Sequence, residues 1–132
     1  MYVAWRTVYP GNFRDVVVSS SRDGRSFAPA LRVSRDGWSL DGCPDSGPAL
    51  ETAGKRLYVA WYTEGSSATP QIRVAHTDDM RAFSPAVTVP GGVLDANHPK
   101  FVANAPEPTI VFQGRAPGAD RWKPVTAFLP RI

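Results

Sequence analysis

The stretch Tyr2-Val3-Ala4-Trp5 returns as Tyr58-Val59-Ala60-Trp61, and the match extends without a gap over residues 2–34 and 58–90. The two segments share 12 identities in 33 positions at a constant offset of 56. A fainter third copy follows at an offset of 51, where Phe112 answers Trp61. A period of this length predicts one supersecondary unit that cannot bury its faces alone and stacks on copies of itself.

Each copy reads as short strands separated by turns, in an order that we label A to D. The predicted bounds are 48–53 and 99–104 for A, 2–7, 57–63 and 109–114 for B, 16–21, 72–77 and more weakly 124–129 for C, and 30–34 and 86–90 for D. Strand B is apolar on both faces, so its sheet must lie between two other sheets. Four-stranded antiparallel sheets stacked about an axis make a β-propeller, and the predicted fold is all-β of this class; a solenoid or a sandwich is the alternative.

The repeat does not divide the 132 residues into whole blades. The predicted units are an incomplete blade at 1–34, a complete blade at 48–90 and an incomplete blade at 99–132, about two and a half in total. Propellers usually have about four to eight blades. The sequence therefore predicts either a piece of a longer propeller or a homo-oligomer that closes the ring.

Composition excludes several classes of protein. Apolar residues make up 42% of the chain, which is too many for a disordered protein. The net charge is +3 and the arginines are scattered, whereas a nucleic-acid binder normally has a basic stripe. No apolar run reaches the length of a membrane span, and no signal peptide precedes the first strand. The two histidines are too separated for a metal-site signature, so neither a metal nor another cofactor is predicted.

The turn between strands C and D carries a recognisable motif. It reads Ser21-Arg22-Asp23-Gly24-Arg25-Ser26-Phe27 and returns as Thr77-Asp78-Asp79-Met80-Arg81-Ala82-Phe83. This motif resembles the Asp-box, or BNR repeat, of sialidases and related propellers, shortened by one residue. An Asp in a tight turn accepts backbone N–H groups, so Asp23 and Asp79 are expected to be structural.

A wider run carries the same resemblance. Trp5-Arg6, residues 9–15, Asp36-Gly37-Trp38 and residues 41–48 are similar to a run in bacterial exo-sialidase-like proteins. The resemblance implies a six-bladed parent, exported to the periplasm or out of the cell, that binds or hydrolyses an acidic sugar or glycan. It also implies an arginine clamp for the substrate carboxylate, a Tyr nucleophile activated by a Glu, and an Asp acid/base.

The candidate site residues follow from the loops. The B–C connections (8–15, 64–70, 115–121) and D–A connections (35–47, 91–98) share one end of the blades and are long and chemically varied. Loops on a rigid scaffold concentrate binding groups. The candidate substrate-binding residues are polar and aromatic residues at this end that differ between the copies: Arg6, Asn12, Arg14, Trp38, Asp45, Tyr62 and His98. Asp15 and Asp41 are the candidate catalytic carboxylates, because the resemblance implies an Asp acid/base.

Structural roles for these residues compete with the functional ones. Arg14 and Asp15 could simply cap strand C, and Trp38, expected to be exposed like Trp122, could cover a blade edge instead of stacking on a sugar. Tyr62 and Glu64 are close in sequence, which alone is weak evidence for a nucleophile pair. With two arginines and no nucleophile assigned, the chain alone is predicted to be inactive; the alternative function is a non-catalytic module that binds carbohydrate or protein.

Overall fold

Three antiparallel sheets make up the fold of the computed structural model, which describes residues 1–129. Sheet 1 contains β1 (Tyr2–Tyr9), β2 (Phe13–Ser20) and β3 (Leu31–Arg32); sheet 2 contains β4 (Ala49–Ala53), β5 (Arg56–Thr63), β6 (Gln71–Thr77) and β7 (Val87–Thr88); sheet 3 contains β8 (Leu94–Phe101), β9 (Thr109–Arg115) and β10 (Lys123–Phe128). Residues 1–129 hold one short 3-10 helix, Gly65–Ser67, and no α-helix. The prediction of an all-β chain is confirmed.

The sequence repeat is also a structural repeat. Hairpins β1–β2, β5–β6 and β9–β10 place equivalent residues opposite each other: Ala4 with Val18, Ala60 with Val74, and Val111 with Thr126. Strands that are neighbours in a sheet are also neighbours along the chain, so each sheet is a simple meander. Equivalent positions in the three hairpins therefore lie on equivalent faces.

Sheet 2 lies between the other two sheets. On one side, Trp61 of β5 packs in a cluster with Val18 of sheet 1. On the other side, Ala60 of β5 packs in a second cluster with Phe112 of sheet 3. Both Trp61 and Ala60 are 0% exposed, and because side chains alternate along a strand, β5 is covered on both faces. The prediction of a strand B with two buried faces is confirmed for β5.

The two turns that carry the repeated motif, residues 21–27 and 77–83, are held by their own aspartates. Asp23 Oδ1 accepts the backbone N–H groups of Arg25 and Ser26, both at 2.8 Å, and the hydroxyl of Ser21 at 3.0 Å. These three bonds lower the pKa of Asp23 to about 2, with the backbone bonds as the largest cause. In the second turn Asp79 Oδ1 accepts the backbone N–H of Arg81 at 2.9 Å. Both aspartates thus make the turn contacts expected of a structural role.

Some predicted bounds differ from the structure. Strand β8 begins at Leu94 rather than at the predicted Pro99, so His98 lies inside a strand and not before it. The start of β8 is irregular, with register shifts against β9 and left-handed φ values of 55° at Asp95 and 53° at His98. The weakly predicted third copy of strand C exists as β10, whereas both D strands shrink to two residues. The end of the predicted third blade, residues 130–132, lies outside the described residues.

Candidate functional site

Arg6, at the loop end of the molecule, joins β2, β5 and the connection between sheets 1 and 2. Its Nη2 donates to the carbonyl oxygens of Tyr62 at 2.9 Å and Ser46 at 3.2 Å, and its Nη1 donates to that of Arg14 at 3.3 Å. The guanidinium carbon lies 5.0 Å from the ring centroid of Trp38. Burial lowers the pKa of Arg6, and the charges of nearby carboxylates oppose that shift. Arg6 therefore directs its two terminal nitrogens at the backbone of its own chain.

Tyr62 and Glu64 form the most distinctive pair at this end. The Tyr62 hydroxyl donates to Glu64 Oε1 at 2.7 Å. The Tyr62 ring meets Trp38 edge to face, with centroids 5.2 Å apart. Burial raises the pKa of Tyr62, and the hydrogen bond and charge of Glu64 raise it further. The phenol is therefore held in its neutral, proton-donating form while it remains partly exposed.

Further charged groups surround Tyr62. The charges of Asp95 and Asp45 also contribute to the raised pKa of Tyr62. Arg6 Nη2 donates to the carbonyl oxygens of both Tyr62 and Ser46, so the residue that follows Asp45 lies beside Tyr62. Asp45 Oδ2 lies 3.7 Å from His98 Nε2, and the His98 backbone N–H donates to Ser46 Oγ at 3.2 Å.

Sheet 3 supplies an ion pair between Arg115 and Asp95 at this end. Asp95 accepts a hydrogen bond from Arg115 Nε, and both side chains are about one-third exposed. We define the polar mouth as the set Asp45, Tyr62, Glu64, Asp95, His98 and Arg115. Side chains from sheets 2 and 3 and from the connection after sheet 1 therefore converge there.

Three of the candidates predicted from the sequence make other contacts. Asp15 is 1% exposed, with its carboxylate bonded to Arg32 and, at 3.1 Å, to the hydroxyl of Ser34. Arg14 donates twice to the carbonyl oxygen of Leu40, at 2.9 and 2.8 Å. Asn12 occupies the left-handed turn position between β1 and β2, with φ of 59°. The Asp15 and Arg14 side chains and the Asn12 carbonyl oxygen, which accepts the Leu40 N–H at 3.1 Å, thus hold sheet 1 and its following connection in place. Asp41 is exposed within that connection.

The expectation that Trp38 is exposed is wrong. Trp38 is only 4% exposed, because the 35–47 connection folds back on the β1–β2 hairpin. The backbone N–H of Arg14 donates to the Trp38 carbonyl oxygen at 2.8 Å. Ser39 forms an isolated antiparallel β-bridge with Phe13. The ring is thereby pressed against Tyr62. Trp122, by contrast, is 49% exposed, as expected.

Sequence reasoning left out three residues of the polar mouth. Glu64 and Asp95 were visible as residues that differ between the repeats, and Arg115 stands at the end of strand B in the third copy. Equivalent positions at strand ends were therefore the available signal. The positions of Asp95 and His98 depend on the bulged start of β8, which no local pattern predicts.

Within residues 1–129, no group of three or more His, Cys, Asp and Glu side chains is placed to hold a metal ion. The same residues contain no helix long and apolar enough to cross a membrane. Comparison with protein-family models, curated proteins and solved structures found no match to this chain.

Proposed function

We propose that this chain is part of a sialidase-type β-propeller and that its polar mouth binds a glycan. The stacking of three repeat sheets, the Asp-held turns at one end and the long connections at the other support this proposal. The observation that carries it is the chain of contacts that brings Tyr62, Glu64, Asp45 and His98 to one end of the stack, linked through Arg6 and Ser46.

The chemistry of the polar mouth suits a sugar. Carboxylates such as Asp45 and Glu64 accept hydrogen bonds from sugar hydroxyl groups, and charge-assisted bonds of this kind are the stronger ones. Arg115 and His98 can contact the carboxylate of an acidic sugar if they exchange their present partners, Asp95 and Asp45. Both pairs are partly exposed, and a partly exposed ion pair such as Arg115–Asp95 costs little to exchange.

We favour binding over hydrolysis because of how the arginines are used. A carboxylate clamp needs guanidinium forks that face the ligand. Arg6 gives its two terminal nitrogens to carbonyl oxygens of Tyr62, Ser46 and Arg14, and Arg14 gives Nε and Nη2 to Leu40. The chain alone is therefore proposed to bind without hydrolysing.

One observation favours hydrolysis as the second candidate function. A tyrosine bonded to a glutamate is the nucleophile pair that the sialidase resemblance implies, and Tyr62 and Glu64 make that bond at 2.7 Å. The raised pKa of Tyr62 disfavours a preformed phenolate, so Glu64 would have to accept the proton as the Tyr62 oxygen bonds to the anomeric carbon. The glycosidic bond breaks in the same step, and the departing oxygen takes its proton from water. Turnover of a fluorogenic sialoside by this chain would establish this second function.

Titration of the chain with sialic acid and with a panel of neutral sugars, followed by calorimetry and NMR shifts, tests the binding proposal. Tyr62→Phe removes the hydroxyl that donates to Glu64, and Glu64→Gln removes the carboxylate charge. Loss of a charge-assisted bond to the ligand weakens binding about tenfold or more. Tyr58→Phe is the matched control, because Tyr58 lies on the same face of β5 toward its opposite end. No saturable binding by any of these sugars, or equal losses in Tyr58→Phe and Tyr62→Phe, would contradict the proposal.

A further inference from the structure

Three equivalent aromatic residues have unequal burial. Trp5, Trp61 and Phe112 occupy the same position of strand B in successive repeats. Trp61 is 0% exposed against sheet 1 and Phe112 is 2% exposed against sheet 2. Trp5 is 41% exposed. The outer face of sheet 1 thus presents a large indole where its two equivalents are covered by a neighbouring sheet.

Other aromatic residues on the same side of sheet 1 repeat this contrast. Phe27 is 43% exposed, whereas its equivalent Phe83 packs against the cluster between sheets 1 and 2. Phe13 adds a third exposed ring at 39%. An exposed group of large apolar side chains commonly marks an interaction site. We call the surface formed by Trp5, Phe13 and Phe27 the aromatic face.

Trp61 and Phe112 are each covered by the face of a neighbouring sheet, and sheet 3 has an equivalent face. Trp61 packs on the sheet that carries Ala4 and Val18, and Phe112 packs on the sheet that carries Ala60 and Val74. The third pair in this series is Val111 with Thr126, on the side of sheet 3 that faces away from sheet 2.

The third surface is open. Val111 is partly exposed and Thr126 is exposed, with Phe128 next to them at 71%. We call this surface, formed by Val111, Thr126 and Phe128, the receiving face. One molecule therefore carries both halves of the contact that stacks its own sheets.

We propose that a second copy of this chain docks its receiving face on the aromatic face, so that sheet 3 of one copy stacks on sheet 1 of the other. The contact is head to tail, because the two surfaces differ. It continues the sheet-on-sheet series that the chain makes twice internally. With three sheets in each copy, two copies can make the contact twice and close a ring.

Sedimentation velocity and light scattering across a concentration series test the proposal. The native chain should self-associate, whereas Trp5→Lys on the aromatic face and Thr126→Glu on the receiving face should each be monomeric. The two variants mixed in equal amounts should form a heterodimer, because one intact aromatic face and one intact receiving face remain. Leu94→Lys is the matched control: Leu94 is 45% exposed but lines the cavity between sheets 2 and 3, away from both faces.

Circular dichroism of each variant checks that the β-structure is kept. A concentration of about 200 µM is far above a micromolar Kd, so association would be nearly complete. The proposal would be overturned by a native chain that stays monomeric at this concentration. That outcome is expected if another protein or a further repeat covers the aromatic face. Association that Leu94→Lys weakens as much as Trp5→Lys does, or a variant mixture that stays monomeric, would overturn it too.

Discussion

Sheets 1 and 2 are built from the same repeated sequence, yet their tryptophans meet different surroundings. Trp5 and Trp61 stand at equivalent positions of matching hairpins, and one is 41% exposed while the other is 0% exposed. The difference cannot come from the strand that carries them, because the four-residue segment is identical. Local sequence specifies the hairpin, and the neighbouring sheet specifies the burial.

Polar positions differ between the two sheets in a complementary way. The position that is Asp15 in sheet 1 is Gln71 in sheet 2, and Arg32 is likewise replaced by Thr88. The first pair is a charge-assisted bond on a buried carboxylate; the second is a neutral bond of 2.8 Å. The buried apolar positions are thus common to both repeats, whereas the polar contacts differ between them.

The largest expected effect separates the two tryptophans. Trp61→Ala removes a fully buried indole and leaves a cavity, which should lower the free energy of unfolding by about 3–5 kcal/mol. Trp5→Ala should lower it by less than about 1 kcal/mol, because surface substitutions away from packed sites have small effects. Urea unfolding of both variants in a Thr126→Glu background keeps the proposed contact between copies out of the measurement. Equal losses of stability would show that Trp5 is packed as tightly as Trp61.

The contact that anchors Trp61 gives the second prediction. Asp36, from the connection after sheet 1, accepts the Trp61 Nε1–H at 2.6 Å and pairs with Arg73 at 2.7 Å. Its side chain is 4% exposed. Asp36→Asn should lower the free energy of unfolding by about 2 kcal/mol, less than for a fully buried pair because Arg73 reaches solvent.

Asp78→Asn is the matched control for Asp36→Asn. Asp78 also pairs with an arginine, Arg56, at 2.8 Å, but its side chain is 59% exposed. Exposed pairs contribute little to stability, so this variant should unfold almost as the native chain does. A loss as large as that of Asp36→Asn would mean that burial does not set the value of these pairs.

Much of the scaffold could be predicted from the sequence, because its causes are local or periodic. The repeat indicated stacked sheets, and the apolar residues on both faces of strand B indicated the central position of β5. The Asp in each turn between strands C and D indicated the hydrogen bonds that hold the turn. The blade arrangement beyond three stacked sheets stays a prediction.

The candidate site was harder to predict, because its contacts join distant parts of the chain. The burial of Trp38 depends on a 13-residue connection folding back onto β1 and β2. The arrangement of Asp95 and His98 depends on a bulged strand start with left-handed residues. Neither feature has a periodic signal. Tyr62 and Glu64 were visible as neighbours, but only the turn that follows β5 brings the hydroxyl to the carboxylate.

The smallest expected effect compares the turns that contain Asp23 and Asp79. Asp23 accepts two backbone N–H groups and a hydroxyl, and its pKa is lowered from 3.8 to about 2. The unfolded chain therefore binds a proton at Asp23 at a higher pH than the folded chain does. Stability from this carboxylate is complete above about pH 4 and is lost as the pH falls toward 2.

Asp23→Asn should therefore flatten the fall in stability between about pH 4 and pH 2, measured by urea unfolding across that range. The effect is small because the turn is exposed and solvent screens the charge. Asp79→Asn tests the same position in the second turn, where one backbone N–H bonds to the carboxylate and the glycine is replaced by Met80. An NMR titration that places the pKa of Asp23 near 3.8 would show that the turn stabilises the ionised carboxylate no more than water does.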